Sequence, residues 1–404
     1  PSQKRVAFLE GWSSDRGLVA SEIRILDIAT GDVSTINAVE ASDVTTFQWI
    51  DEDSLCFAGW SKVGAMYGAV KTDGTLLWSR YEDAIVGSNS FSAQISPTPD
   101  NKTGYATVRE TAGEAPEIVF RQMSDTDWRP ITRLNGRIAA EFNDYPEVKP
   151  LRWKGTDGLE LDALVLLPRG RDAGTLPMIV DIHGGPSWTA KYAFNPGYAV
   201  PFTAAGYAVF LPNYRGNTGW GQKFARLNIG DPGGAEFDDI LAGIDRCVDE
   251  GVADKDRLGV TGASYGGYMT AWAVATTNRF KAAVMISGIS NQVSSHYSCN
   301  HDFHGFINGG PLSDKRNFHI AVSRSPLMRL DKPTTPTLML HGADDRCTPL
   351  GQAQEFYAAL QERGVDTELV VYPREGHGFQ EREHRLDAWR RTVAWFDRYL
   401  GMER

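Results

Sequence analysis

A mostly parallel α/β sheet flanked by helices, preceded by an all-β region, is the architecture this sequence predicts. Three observations carry it. Residues 1–145 hold short β-favouring runs with turn residues about every ten positions and no helical period. From Leu151 strand and helix signals alternate. A glycine-flanked serine, Gly262-Ala263-Ser264-Tyr265-Gly266, sits between the apolar run Arg257 to Thr261 and a helical one, Gly267 to Thr276. A length of 404 residues exceeds one typical domain and favours two of unequal size, 1–145 and 146–404.

The first region carries an internal repeat. Arg5-Val6-Ala7-Phe8, Ser54-Leu55-Cys56-Phe57 and Lys102-Thr103-Gly104-Tyr105 align, with Phe8, Phe57 and Tyr105 separated by 49 and then 48 residues. Such a period suits a propeller blade. A second strand follows in each unit: Ile25 to Ile28 before Thr30-Gly31-Asp32, Ala69-Val70 before Asp73-Gly74, and Ile118 to Phe120 before Asp125-Thr126-Asp127. Closed propellers carry about four to eight blades, so three leave strand edges and blade faces open. The region therefore reads as a partial β-propeller whose earlier blades are missing, with a small sandwich as the alternative.

After a linker containing Asn143-Asp144-Tyr145-Pro146 and Pro150, a strand pair is expected over Leu151 to Lys154 and Leu159 to Leu167. Further strands are expected over Met178 to Ile182, Ala208 to Pro212, Leu258 to Gly262, Ala282 to Ser287, Thr337 to His341 and Glu368 to Tyr372. Helical periods run over Ala235 to Asp249, Gly351 to Arg363 and His384 to Leu400. In the last, Leu386, Trp389, Val393, Phe396 and Leu400 form one apolar stripe.

Chemistry concentrates where strands end. The serine motif has the strand–turn–helix context of a nucleophile elbow, in which a strained turn presents Oγ and flanking glycines avoid a clash. Two loops follow in the order Ser, acid, His: His341-Gly342-Ala343-Asp344-Asp345-Arg346-Cys347-Thr348-Pro349, and Glu375-Gly376-His377-Gly378-Phe379. His377 is the candidate base, and local sequence leaves Asp344 and Asp345 both open as the acid. His183-Gly184-Gly185-Pro186 matches the oxyanion loop of esterase-type hydrolases; the backbone N–H groups of Gly185 and of Tyr265 are the candidate donors. Together these describe an α/β hydrolase.

Other patterns carry less. His296, Cys299, His301 and His304 cluster without the separated ligand pairs of a structural zinc site, so no metal is expected. Gly230-Asp231-Pro232-Gly233-Gly234 lacks the Lys-Ser/Thr of a phosphate loop. A net charge of -10 and the lack of a basic cluster exclude nucleic acid as a partner, and no apolar run is long enough to span a membrane. Cys56, Cys247, Cys299 and Cys347 lie far apart and read as isolated thiols, which favours a reducing, cytoplasmic setting. The chain opens on Pro1 as if cut from something longer.

The sequence resembles the prolyl oligopeptidase family of serine peptidases, particularly its acylaminoacyl peptidase branch. The matching residues are His183 to Pro186, Asn213-Tyr214-Arg215-Gly216, Asp256 to Thr270, His341 to Pro349 and Gly376 to Phe379. The resemblance implies an α/β-hydrolase domain capped by a propeller that restricts access to short or acylated peptides, with no cofactor. It carries over the triad as Ser264, Asp345 and His377. Many relatives place Arg two positions after the acid, where Cys347 stands here and Arg346 precedes it. The paired glutamates of dipeptidyl peptidases have no clear equivalent in residues 1–145. A substrate pocket is expected from Ser290 to Pro311, with Val293, Phe303, Phe306 and Ile307 as apolar walls and Arg346 nearby. A carboxylesterase or small-amide hydrolase, and a non-catalytic propeller binding protein, are the rival readings; assembly into a homo-oligomer is left open.

Overall fold

The computed structural model describes residues 4–11, 21–37, 39–88, 92–100, 103–141, 146–170, 176–195, 201–300 and 303–402. Lys102 of the third repeat, Asn143, Asp144 and Tyr145 of the linker, His301, and the side chain of His304 lie outside them. Two units divide the chain: Pro1–Tyr145 with Ser187–Pro196 and Asn217–Arg226, and Pro146–Pro186 with Gly197–Gly216 and Leu227–Arg404.

The β-favouring runs of the first unit form three antiparallel, blade-like sheets. The first is β1 (Arg5–Gly11), β2 (Ser21–Asp27) and β3 (Val33–Ile36), paired in that order. The second is a four-stranded meander: β4 (Asp43–Trp49), β5 (Ser54–Ser61), β6 (Gly64–Lys71) and β7 (Leu76–Glu82). The third pairs β12 (Arg129–Pro130), β11 (Glu114–Gln122), β10 (Gly104–Thr111) and β8 (Ile85–Val86), with β9 (Ser96–Pro97) also on β10. The repeat has a structural counterpart: Phe8, Phe57 and Tyr105 each lie on the first strand of a hairpin, opposite Arg24, Gly68 and Arg121.

Why β5 and β6 read as almost unbroken apolar runs follows from the period of two. Leu55 and Phe57 join Ile23, Ile25, Ile36 and Val70 in one cluster, while Cys56, Ala58 and Trp60 join Ile85, Val86 and Tyr105 in another. The middle sheet is thus buried on both faces. Two later segments complete this unit through main-chain bonds. Lys62 N–H donates to Gly219 O at 2.8 Å, Tyr192 N–H donates to Val63 O at 3.2 Å, and the buried Asp43 carboxylate accepts from Gly219 N–H.

The second unit is one eight-stranded sheet of order β13-β14-β16-β15-β17-β18-β19-β20. The antiparallel edge consists of β13 (Glu147–Lys154) and β14 (Glu160–Leu167), and β14 also runs antiparallel to β16 (Ala208–Asn213). The remaining pairings are parallel, through β15 (Met178–Ile182), β17 (Leu258–Ala263), β18 (Ala282–Ile286), β19 (Thr337–Gly342) and β20 (Thr367–Tyr372). Short helices α1 (Gly136–Glu141) and α2 (Gln222–Ala225) belong to the first unit. Flanking the second sheet are α3 (Ala235–Asp249), α4 (Tyr265–Thr276), α5 (Gln292–Ser298), α6 (Phe303–Ile307), α7 (Lys315–Ser323), α8 (Gly351–Glu362) and α9 (Arg382–Leu400). The run YGGYMTAWAVAT has no polar face, and α4 is accordingly buried from Tyr265 through Val274. Among the described residues no helix is long and apolar enough to cross a membrane.

The apolar stripe expected on α9 is rotated. Its buried face is Ala388, Thr392, Trp395, Phe396 and Leu400, while Leu386, Trp389 and Val393 are only half-buried. Small residues explain the shift. Ala388 and Thr392 let the helix approach the sheet, Thr392 Oγ1 satisfies itself on Ala388 O at 2.8 Å, and a Cβ on Gly259 of β17 would lie 2.6 Å from the Phe396 ring. Phe396→Ala is therefore expected to cost roughly 3–5 kcal/mol and Leu386→Ala no more than about 1 kcal/mol, read from urea-unfolding midpoints. Equal losses would restore the stripe expected from the sequence.

Candidate active site

The turn between β17 and α4 is held by contact too close for any side chain. A Cβ at Gly266 would fall 1.8 Å from Ile182 O of β15, and one at Gly262 would fall 2.5 Å from the same carbonyl. With strand and helix pressed together, Ser264 takes φ 61° and ψ -119°, a conformation that L-residues rarely adopt. The strain leaves Ser264 partly exposed at the carboxyl end of the central strand, and Tyr265, 1% exposed, starts the helix.

Facing the serine is the loop after β15. A Cβ on Gly184 would sit 3.2 Å from Ser264 Cβ and 3.8 Å from its Oγ, so the glycine loop and the elbow share one small volume. Tyr214 holds this loop from below: its ring stacks on His183 with centroids 4.7 Å apart, and its hydroxyl donates to His183 O at 3.1 Å. Gly185, exposed and at φ 122°, follows directly.

The two later loops are laced together. Ala343 N–H donates to Tyr372 O at 2.8 Å and Asp344 N–H donates to Glu375 O at 2.9 Å. This lacing brings Asp345 Oδ2 to 2.9 Å from His377 Nδ1. Asp345, not its exposed neighbour Asp344, is the carboxylate at the imidazole. Asp345 is buried, and burial opposes its charge, but the His377 hydrogen bond and those from Thr348 hold it below its ordinary value. Cys347 N–H and Thr348 N–H both donate to Asp345 Oδ1 at 2.9 Å. Thr348 Oγ1 also lies 2.9 Å from Asp345 Oδ2 and 2.8 Å from Ser287 O. For His377, burial opposes the cation, yet the Asp345 bond, a Cys347 bond and the charges of both push the imidazole up to about 10. Among the described residues no hydrogen bond joins Ser264 to His377; such bonds often tighten only with substrate in place.

Outside the loop core, Glu375 acts as a clasp. It accepts from Gln380 N–H at 2.7 Å, Glu381 N–H at 2.9 Å and His384 Nδ1 at 2.8 Å, closing the loop that carries His377. Glu375, Glu381 and His384 have the residue types of a metal site, with ligand atoms within 4.8 Å of one another. In the structure they bond one another and main-chain N–H groups, and Arg374 pairs with Glu381 in addition.

The expected pocket residues fall in different settings. Val293 is half-buried on α5, Phe303 is buried on α6 and meets the Tyr265 ring edge-on at 6.1 Å, and Phe306 is half-buried. Ile307, 1% exposed, sits in the interior, and Arg346 is exposed with its carbonyl accepting from Asn300 N–H at 2.9 Å. His296 packs against Tyr297, centroids 4.8 Å apart. None of the four cysteines is in a disulfide.

Three groups escaped sequence reasoning. Thr348 is invisible as a support for Asp345 because its partners come from three segments. Arg215 grips Asp239 of α3 through Nε and Nη2, each at 2.7 Å, and Asp157 through Nη1 at 2.9 Å, which anchors the Asn213 to Gly216 motif. Glu236, one turn before Asp239 and fully buried, accepts from Tyr265 Oη, from Asn228 Nδ2 at 2.8 Å and from Gly233 N–H at 2.6 Å. The glycine loop 230–234 thus wraps a carboxylate. Burial pushes Glu236 up to about 7 against those hydrogen bonds.

Comparison with known proteins fits this geometry. The chain is 31% identical over 393 residues to the uncharacterised peptidase YuxL of Bacillus subtilis, covering 94% of this chain and 56% of that one. It is 28% identical over 419 residues to dipeptidyl-peptidase 5 of Porphyromonas gingivalis, covering 99% and 58%. The acylaminoacyl peptidase of Pyrococcus horikoshii superposes with a TM-score of 0.79 at 25% identity, over 99% of this chain and 62% of that one. The chain thus spans little more than half the length of the curated relatives it matches. Residues 192–403, from before the elbow to beyond the histidine loop, match the prolyl oligopeptidase family, and the chain belongs to it.

Proposed function

We propose that the protein is a serine peptidase that cleaves short peptides through an acyl-enzyme, with an acylaminoacyl-peptidase or oligopeptidase preference. The observation that carries this is the buried Asp345 carboxylate bonded to His377 Nδ1 at 2.9 Å, beside a serine held at positive φ against a glycine loop. Ser264 Oγ attacks the peptide carbonyl while His377 Nε2 takes the hydroxyl proton. The N–H groups of Tyr265 and Gly185 receive the oxyanion. The C–N bond breaks as His377 returns the proton to the leaving amine, and water, deprotonated by the same imidazole, releases the acid and restores Ser264. Asp345 holds the ring and stabilises its cation. No step calls for a metal or a cofactor.

In this reading Val293, Phe303 and Phe306 border the acyl side chain and Arg346 stands at the rim. Short or acylated peptides are the partners, and the propeller of the whole protein selects among them. Four cysteines outside any disulfide support a reducing compartment such as the cytoplasm.

Fluorophosphonate labelling is expected for the native protein and lost in Ser264→Ala; equal labelling would overturn the nucleophile. Comparing turnover of acylated peptides, free-amino peptides and simple esters then ranks the substrates, and an enzyme active on esters alone would favour the esterase reading.

The pH dependence has a defined sign. His377 must be neutral to accept the proton, so kcat/KM rises with pH as the imidazole deprotonates. Because Asp345 and Cys347 raise it from 6.5, the ascending limb is expected well above that value. Cys347→Ala removes one of the two groups and should move the limb to lower pH. An unmoved limb would exclude Cys347 as a partner of the ring.

A further inference from the structure

Beneath the elbow lies a carboxylate that acyl transfer does not use. Glu236, 0% exposed in the first turn of α3, receives the Tyr265 hydroxyl, the Gly233 N–H and the Asn228 amide. A buried acid is ordinarily paired with a cation. Three residues on, Asp239 follows that rule with Arg215. Glu236 does not: among the described residues its partners are two amides and a phenol, and the phenol belongs to the residue after the serine.

Tyr265 is fixed at both ends. Its backbone N–H starts α4 next to the strained Ser264, and its hydroxyl is tied to Glu236. Between them the ring packs on Tyr268 at 5.0 Å and meets Phe303 edge-on at 6.1 Å. Tyr268 is anchored in turn, its hydroxyl donating toward Arg324 O at 2.8 Å and Pro232 O at 3.0 Å. A tethered ring of this length acts as a lever on the peptide plane at its base. Oxyanion donors tolerate little error: a 1 Å misplacement costs on the order of 100-fold in rate.

We propose that Glu236 is a positioning residue which, by holding the Tyr265 hydroxyl, aims the Tyr265 backbone N–H at the oxyanion and couples that aim to the Phe303 wall of the acyl pocket. The proposal rests on the acyl-transfer reading above. It assigns the buried acid an effect on the transition state, and none on ground-state substrate binding.

Three variants test it, assayed for kcat and KM on an N-acylated peptide anilide and for inhibition by phenylethaneboronic acid, a tetrahedral mimic, and by the product acid. Tyr265→Phe should lower kcat about tenfold at nearly constant KM, weaken the boronate in parallel and spare the product acid. Glu236→Asp draws the acceptor away from the phenol by one methylene and should act in the same way. Glu236→Gln should keep kcat within about threefold: its carbonyl still accepts from Tyr265 and Gly233, and its NH2 can be met by the Asn228 amide turned over, whose Oδ1 is buried without a partner. Folded Tyr265→Phe or Glu236→Asp with wild-type kcat and boronate affinity would overturn the proposal. So would a Glu236→Gln loss as large as that of Glu236→Asp, since packing alone would then explain both. Persistent turnover in Ser264→Ala would instead overturn the acyl-transfer reading, so the two failures are distinguishable.

Discussion

Everything at the site depends on how closely α4 is allowed to approach β15 and β17. The Ile182 carbonyl occupies the space where side chains at Gly262 and Gly266 would be, and that approach forces the positive φ of Ser264. The strain is sustained because α4 is apolar all round and buried along its length, so the helix has no other stable place to go. The serine is thus raised by packing. The same approach sets Gly184 within van der Waals reach of Ser264, which makes the serine turn and the glycine loop one structural unit.

Charge is organised around that unit by burial. Asp345, Asp239 and Glu236 are all removed from water, yet each is satisfied differently. Asp345 takes two main-chain N–H groups, a threonine hydroxyl and the imidazole, which favours its ionised form and orients the ring. Asp239 takes a guanidinium and fixes Arg215, and with it the loop after β16, to α3. Glu236 takes only neutral donors and is driven toward its protonated form. Two acids three residues apart on α3 are therefore satisfied in different ways, Glu236 by neutral donors and Asp239 by a guanidinium.

How much of this was legible depended on whether the signal was local. The elbow, the glycine loop and the histidine loop are contiguous strings whose chemistry follows from their neighbours, and strand ends such as Met178–Ile182 could be read from apolar runs. The choice between Asp344 and Asp345 could not be made from neighbours, because it is decided by Tyr372 at the end of β20 and Glu375 in the loop after it. Glu236 is hidden because its tie to Tyr265 joins segments distant in sequence, whereas Thr348 and the Glu375–His384 clasp bond close neighbours in spacings that match no motif. The α9 stripe misled in a different way. Large residues were counted as the buried face, but the helix packs through Ala388 and Thr392, where small size permits contact.

Cys347 stands where the family resemblance implies an arginine, and its surroundings suit a small side chain. A guanidinium at this position would compete for the space beside His377 and carry a fixed charge toward substrate. A thiol is small enough to contact the imidazole itself, and its backbone N–H still serves Asp345. Arg346, one residue earlier, is exposed, and its own carbonyl is committed to Asn300, so its side chain starts from a different direction than an arginine at 347 would. Elsewhere at the site tyrosines do the positioning: Tyr214 stacks under His183 and Tyr265 meets Phe303 edge-on, so ring packing rather than charge holds the glycine loop and Phe303 in place.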